Sequence, residues 1–364
     1  MLDTRATRLP DCRPLLADPD DLTVVFQPIV DLASAGIAGY EALARFPGTA
    51  APDVWFAAAA EAGLGAELEA LAVTRALAAL PDLPPNTFLT VNVSPHLLGT
   101  PPVAAALAAP ATLRRVVVEL TEHAQVHDLA ALRAQTAVLR GRGALIAIDD
   151  AGSGWSGLQQ LAELRPQLVK LDRALVTGAD SDPVKVALAE MVGGFTSRID
   201  AWLLAGGIET VAELAAFARL GVPLVQGWLL GRPSPGFAPL DPSVVDLVRR
   251  QVARVQLAES VASLLRPIRQ RSAGEDDGAP APYVLLDRAE VPTELVLADP
   301  RTGQSYRAPV SLRVPPSAGV AETLQRALTR APVHRFDPVL CTAGSGEVLG
   351  LLRVEDLASA AASR

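Results

Sequence analysis

Residues 145–150 read Leu-Ile-Ala-Ile-Asp-Asp, four apolar side chains that stop abruptly at two carboxylates. An unbroken apolar run of this length suits a strand buried on both faces, and the polar stop marks where it leaves the core. The same figure recurs on both sides. Upstream, residues 115–119 (RVVVE) end at Glu119 with Glu122 close behind, 88–93 (FLTVNV) carry Asn92, 37–41 (IAGYE) end at Glu41, and 24–27 (VVFQ) end at Gln27. Downstream, 168–171 (LVKL) carry Lys170 and lead into Asp172, 201–205 (AWLLA) run into two glycines, and 224–226 (LVQ) end at Gln226. Ala- and Leu-rich helical stretches separate these runs. Strand and helix in alternation predict parallel β/α architecture, and about eight strands predict a closed (β/α)8 barrel. The alternative, an open doubly wound sheet, usually carries a glycine-rich phosphate turn after its first strand, and Phe26-Gln27-Pro28-Ile29 has none.

The 364 residues allow one large domain and a smaller one. We expect a tail at 1–21, the barrel at 22–243, a helix and linker at 244–282, and a small α+β domain at 283–364. The helix, read at 244–268, spaces Val245, Val248, Val252 and Val255 three and four apart, which makes either a short dimer seam or a face packed on the chain's own barrel. Residues 272–282 (SAGEDDGAPAP) read as linker. Half of the residues are hydrophobic and 20% charged, which excludes a disordered chain. A net charge of −8 excludes a general binder of nucleic acid or anionic membrane, while leaving room for a small anion in one cationic pocket. Cys12 and Cys341 form no metal or disulfide pattern, residues 1–21 have no signal-peptide core, and no apolar run spans a bilayer, so we expect a soluble, cytoplasmic chain with no membrane partner.

In a β/α barrel the residues at the C-terminal strand ends share one rim. Glu41, Asn92, Glu119, Glu122, Asp149, Asp150, Lys170, Asp172 and Gln226 would all lie there. Oxygen donors of this kind suit a hard divalent ion, and the adjacent Asp149 and Asp150 could serve two ions, the arrangement that stabilises both oxygens of a phosphodiester displacement. The plainer alternative is a set of unrelated turn and helix-cap carboxylates.

The segments at 26–31 (FQPIVD), 40–46 (YEALARF), 91–94 (VNVS), 118–122 (VELTE), 148–158 (IDDAGSGWSGL), 168–173 (LVKLDR), 205–210 (AGGIET) and 225–233 (VQGWLLGRP) resemble, in order, the signature motifs of the EAL family of cyclic di-GMP phosphodiesterases. The resemblance implies a TIM-like barrel of EAL type with one reversed strand, and cleavage of cyclic di-GMP to linear pGpG with Mg2+ or Mn2+. It implies Glu41, Asn92, Glu119 and Asp149 as ligands of one metal and Asp150 as a ligand of a second. Lys170 would contact the metal-bound water, with Gln226 and Glu122 supporting that network. Gln27, Leu43, Arg45 and Asp172 fall at substrate-binding positions. A homodimer is implied as well.

Two departures stand out. The seventh strand of the family ends Ala-Glu-Gly, its Glu acting as metal ligand or general base, whereas this chain reads Ala205-Gly206-Gly207. Ala151 replaces an aromatic residue in the loop that couples dimerisation to metal binding, and Ser153 is a milder change in that loop. General-base loss costs about 10²–10⁴-fold in rate. Two functions therefore stay open: a slow phosphodiesterase, in which Glu209 or another carboxylate shifts inward, or a receptor that binds cyclic di-GMP and relays the bound state to the C-terminal domain. The last part of that domain, 319–357, resembles one half of a CBS-type module, which implies an adenine-nucleotide sensor; the alternative is a small dimerisation or protein-docking domain, its protein partner unknown.

Overall fold

A four-residue turn at 32–35 decides how the barrel begins. Asp31 accepts from the Ala33 amide (3.0 Å) and the Ser34 hydroxyl (2.7 Å), and Ala35 adopts a left-handed φ of 51°. So short a link permits a hairpin and forbids the crossover that parallel strands need. β1 (Thr23–Asp31) therefore runs antiparallel to β2 (Gly36–Arg45), and the remaining strands follow in parallel: β3 (Phe88–Val93), β4 (Val116–Leu120), β5 (Leu145–Ala151), β6 (Leu168–Leu171), β7 (Trp202–Gly206) and β8 (Leu224–Gln226). β8 closes the barrel against β1, antiparallel. The structure, a computed structural model, describes residues 10–121, 128–151, 161–272, 280–287, 290–299, 302–343 and 346–362, apart from the side chains at 150, 151 and 256–259.

All eight expected strands are present. β1 is longer than its apolar run suggested, because Pro28 does not break it. β8 pairs with β1 only from Val30 onward, so no partner on that side needs the amide that Pro28 lacks.

Inside the barrel, Ile29, Val117, Ala147, Leu168, Leu204 and Leu224 form one buried apolar layer. Side chains two apart on a strand share a face. The layer above this one is therefore set by sequence: Glu119, Asp149, Lys170, Gly206 and Gln226 lie two residues further along their parallel strands, and Gln27 lies two residues back on the reversed β1. Glu41 and Asn92 complete the tier in register, since Asn92 pairs with Glu119 and Gln27 with Glu41. One tier holds the chemistry.

The chain forms two compact units, Met1–Val252 and Ala253–Arg364. The expected tail is in part folded: α1 (Arg13–Ala17) buries Leu15, and Cys12 and Leu15 join a cluster with Leu22, Trp55, Ala59 and Leu68. In the barrel unit α2 (Pro52–Glu61), α3 (Gly65–Leu77), α4 (Pro101–Ala108), α5 (Leu129–Gly141), α6 (Arg173–Val176), α7 (Pro183–Arg198) and α8 (Val211–Arg219) follow, among the described residues. The helix expected to reach Ile268 is α9 (Pro242–Glu259) and stops at Glu259. Of its valine stripe Val248 is fully buried, and Val245, Val252 and Val255 are half-buried. Within the expected linker, β9 (Arg269–Ser272) pairs in parallel with β10 (Tyr283–Leu286), so the second unit begins earlier than 283. Its Arg-Gln-Arg-Ser sequence is an exposed edge strand with no apolar alternation to reveal it. β11 (Pro292–Ala298) and β12 (Ser305–Pro309) complete a four-stranded sheet. β13 (Arg313–Val314), β14 (Val339–Thr342) and β15 (Val348–Leu352) form a three-stranded sheet, and Val314, Cys341 and Leu352 pack with Val320 and Ala327 of α10 (Val320–Leu328) and Leu357 of α11 (Val354–Ala362).

Candidate functional site

Lys170 stands at the centre of the polar tier. Its ammonium donates to Glu119 Oε1 at 2.8 Å and Glu41 Oε1 at 3.3 Å, and lies 3.6 Å from Asp149 Oδ2. Glu41 is held from three sides: Asn92 Nδ2 donates to Oε1 (3.1 Å), Gln226 Nε2 to Oε2 (2.8 Å), and Lys170 to Oε1. Gln226 also donates to Gln27 Oε1 (3.3 Å), and Gln27 in turn donates to the Gly231 carbonyl (3.0 Å). Lys170 and five other side chains, from strands far apart in sequence, thus form one hydrogen-bonded network.

Its electrostatics are uneven. Burial alone would lower the lysine, but Glu119, Glu41 and Asp149 overcome that penalty and hold it well above its usual value. Burial would likewise raise Glu41, yet Lys170 and the amide donors Asn92 and Gln226 pull it below the ordinary carboxylate range. Glu119 is pushed up to about 8, first by burial, against the pull of Lys170 and with the push of Asp149 and Glu41. Three carboxyl groups share one ammonium, and the upward push on Glu119 by its acidic neighbours shows that the ring is short of positive charge. A divalent cation supplies that charge, and the donors are all oxygens, so Glu41, Asn92, Glu119 and Asp149 fit a hard ion such as Mg2+ or Mn2+. Among the described residues no three such groups already stand at ligand spacing; they converge on Lys170.

A cleft of about 250 Å3 opens above this network, lined by Glu41, Asp149, Lys170, Gly206, Glu209 and Trp228 among others. At its β7 wall Gly206 is buried and has no side chain to offer; a Cβ there would lie 3.2 Å from Lys170 Cε. Gly207 has φ +91° and its amide donates to the Gln226 carbonyl at 2.9 Å, which ties β7 to β8 in a conformation that favours glycine.

Three expected residues are placed elsewhere. Asp172 caps α6, accepting from the Ala174 amide at 2.6 Å. Leu43 and Arg45 continue the Glu41 face of β2 beyond the rim into a neighbouring cavity of about 460 Å3, which Asn92 also lines. Glu209 reaches the cleft but is tied to Arg173 (2.5 Å). Glu122 and the side chain of Asp150 lie outside the described residues. Sequence reasoning missed Glu69, which shares α3's buried face with Val73 and Ala76 and accepts from the Ser94 amide at 2.9 Å. Burial pushes it up to about 7. An acid four and seven residues before buried apolar positions on one helix was the available signal. Trp228 was missed too; Arg232 sits 4.3 Å above its ring and Arg173 5.9 Å.

The model of the EAL domain matches residues 14–233, the whole barrel up to the segment beyond β8. The chain belongs to the EAL domain family. Similar curated proteins include the cyclic di-GMP phosphodiesterase RocR of Pseudomonas aeruginosa, 29% identical over 60% of this chain and 59% of that protein. The probable cyclic di-GMP phosphodiesterase PdeB of Escherichia coli is 28% identical over 59% of this chain and 43% of its own length. The chain thus spans about half the length of these relatives. Among solved structures, a standalone EAL protein of Vibrio cholerae in its c-di-GMP-bound form is 26% identical with a TM-score of 0.54, covering 62% of this chain and 97% of that one. BlrP1 of Klebsiella pneumoniae, in a complex with manganese and c-di-GMP, is 28% identical with a TM-score of 0.55, covering 60% of this chain and 58% of that one. The EAL barrel of this chain accordingly shares its fold with proteins caught holding the dinucleotide, while its second unit lies outside the matched segment. Among the described residues no helix is long and apolar enough to cross a membrane.

Proposed function

We propose that the EAL barrel binds cyclic di-GMP over a divalent-metal site and hydrolyses it slowly to pGpG. The observation that carries this reading is the convergence of Glu41, Glu119 and Asp149 on Lys170, with Asn92 bonded to Glu41, an oxygen ring short of positive charge at the floor of a cleft. A bound Mg2+ or Mn2+ would polarise the phosphodiester and acidify the attacking water. The chain's own residues do the rest. Asn92 and Gln226 fix the Glu41 carboxylate, so its lone pairs face the ring without rearrangement. Lys170, kept charged, offers a positive charge to phosphate or water. The water oxygen bonds to phosphorus, the bond from phosphorus to the 3′ oxygen breaks, and the ring opens to a linear dinucleotide with a 5′ phosphate. By family resemblance Asp150 would hold a second ion, with Glu122 bracing the loop after Asp149.

Gly206 limits the rate. It stands in the tier where the family places a carboxylate, and Glu209, the nearest acid on that wall, is engaged by Arg173. The same observation favours a second reading, a receptor that grips cyclic di-GMP without consuming it and passes the bound state to the second unit.

Purified protein incubated with cyclic di-GMP and Mn2+, with pGpG followed by chromatography and binding titrated in Ca2+, decides between the two. Turnover lost in Glu41→Ala establishes the enzyme. Tight binding without pGpG establishes the receptor, and neither binding nor pGpG overturns both.

A further inference from the structure

The Lys170 ammonium lies at the point that the acids of the tier surround. Glu41 on β2, Glu119 on β4 and Asp149 on β5 approach it from three strands, at 3.3, 2.8 and 3.6 Å, and the lysine side chain is only 13% exposed. A divalent ion held by the same carboxylates draws their oxygens to about 2.1 Å, closer than an ammonium brings them, and it too must lie between those strands. That place is taken. The two cations would also repel each other across one shared set of anions. The path of the lysine shows where it can go. Its stem runs across Gly206, with Cε 3.2 Å and Cγ 3.6 Å from where a Cβ would stand, so no side chain separates the stem from the β7 wall. On that side the cleft is lined by Gly206, Gly207 and Glu209, two residues without side chains and one carboxylate. Room and a counter-charge both lie there.

We infer that Lys170 is a built-in competitor of the metal: its ammonium neutralises the ring on its own, and it withdraws past Gly206 into the cleft when an ion takes the ring. The inference rests on the metal-binding reading proposed above and adds a determinant of affinity to it. Metal binds only the fraction of chains in which the lysine has left, so the apparent affinity is lowered by that fraction and occupancy follows the free metal concentration. Withdrawal also carries the ammonium into the cleft, the side from which a phosphate would arrive. One residue thus sets the metal requirement and then faces the ligand.

The chain has two lysines, Lys170 and Lys185, so the movement can be read at the ammonium itself. The full chain is acetylated with acetic anhydride in EDTA and again in Mg2+, and modification of each lysine is followed by mass spectrometry, with Lys185 on α7 as the internal reference. Relative to Lys185, Lys170 should react at least about 10-fold faster in Mg2+ than in EDTA, because the ion turns it out of the ring. Mn2+ binding, titrated by electron paramagnetic resonance without substrate, supplies the second readout. Lys170→Met, its fold checked by circular dichroism, should bind Mn2+ at least about 10-fold tighter than the parent, since no cation has to be expelled. The acetylation arm uses the parent alone, so it decides even if that variant does not fold. Equal Lys170 reactivity in EDTA and Mg2+, or Mn2+ binding that is unchanged or weaker in Lys170→Met, overturns the inference and leaves the metal site standing. A parent that binds no Mn2+ overturns both.

Discussion

The barrel unit buries carboxylates in two ways. In the polar tier Glu41 and Glu119 lie under 10% exposed, yet they stand around a lysine and, for Glu41, beneath two amide donors. On α3, Glu69 is as deeply buried with one backbone amide for company. Partners decide the outcome: Glu41, with Lys170 and two amide donors, is held below the ordinary carboxylate range, whereas Glu119, which shares that lysine with two other carboxylates, rises to about 8 and Glu69, with one amide, to about 7. Burial alone therefore does not mark a reactive acid. Convergence does.

Breaking the tier should have the largest effect. Lys170→Met removes the cation that Glu41, Glu119 and Asp149 share, and we expect the metal-free protein to lose about 3–5 kcal/mol of stability, read by urea denaturation in EDTA. Millimolar Mn2+ should restore much of it, because the ion replaces the missing charge. Unchanged stability would mean that the lysine does not hold the ring together.

Filling the empty position in the tier comes next. Gly206→Glu should raise pGpG formation in Mn2+ by about 10²–10⁴-fold. Without metal it should destabilise the fold, since a fourth carboxylate joins one lysine whose Cε lies 3.2 Å from the new Cβ. A variant no faster than the parent would sink the idea that Gly206 limits turnover.

The lone acid makes a sharper, smaller contrast. Glu69 has a folded value near 7, above the ordinary 4.5, so the folded state holds its proton more tightly than the unfolded state. Stability from this group is present below about pH 4.5 and is lost as pH rises through 7. Glu69→Gln keeps an acceptor for the Ser94 amide and carries no charge. It should match the parent near pH 4.5 and exceed it by about 1–3 kcal/mol at pH 8, a difference of a few degrees in Tm. Equal melting at both pH values would show that Glu69 ionises freely.

Smallest of all should be the Arg173–Glu209 pair, 63% and 38% exposed. Arg173→Ala should change stability by less than about 1 kcal/mol, less still at high salt. If it raised pGpG formation, Glu209 would be released to stand in for the absent carboxylate.

Much of the tier was legible because a strand repeats every two residues. Once Val117, Ala147, Leu168 and Leu224 are read as interior, Glu119, Asp149, Lys170 and Gln226 follow, and so does the gap at Gly206 above Leu204. Asp172 has the same polar character and the same place after an apolar run, but the chain turns into α6 there and uses its carboxylate as a cap. No local pattern separates a capping aspartate from a site aspartate. β9 escaped for a different reason: its strand character comes from pairing with residues 283–286, not from its own side chains.

The amino-acid sequence by itself determined the barrel, its strands and which side chains share the inner wall, because apolar periodicity and hydrogen bonding act over a few residues. Only the tertiary structure decided which of those polar residues meet. Lys170 reaches Glu41 across 129 positions of chain and Glu119 across 51. Contacts so remote are set by the closure of the sheet, and the charge each group carries is set by how many others that closure brings beside it.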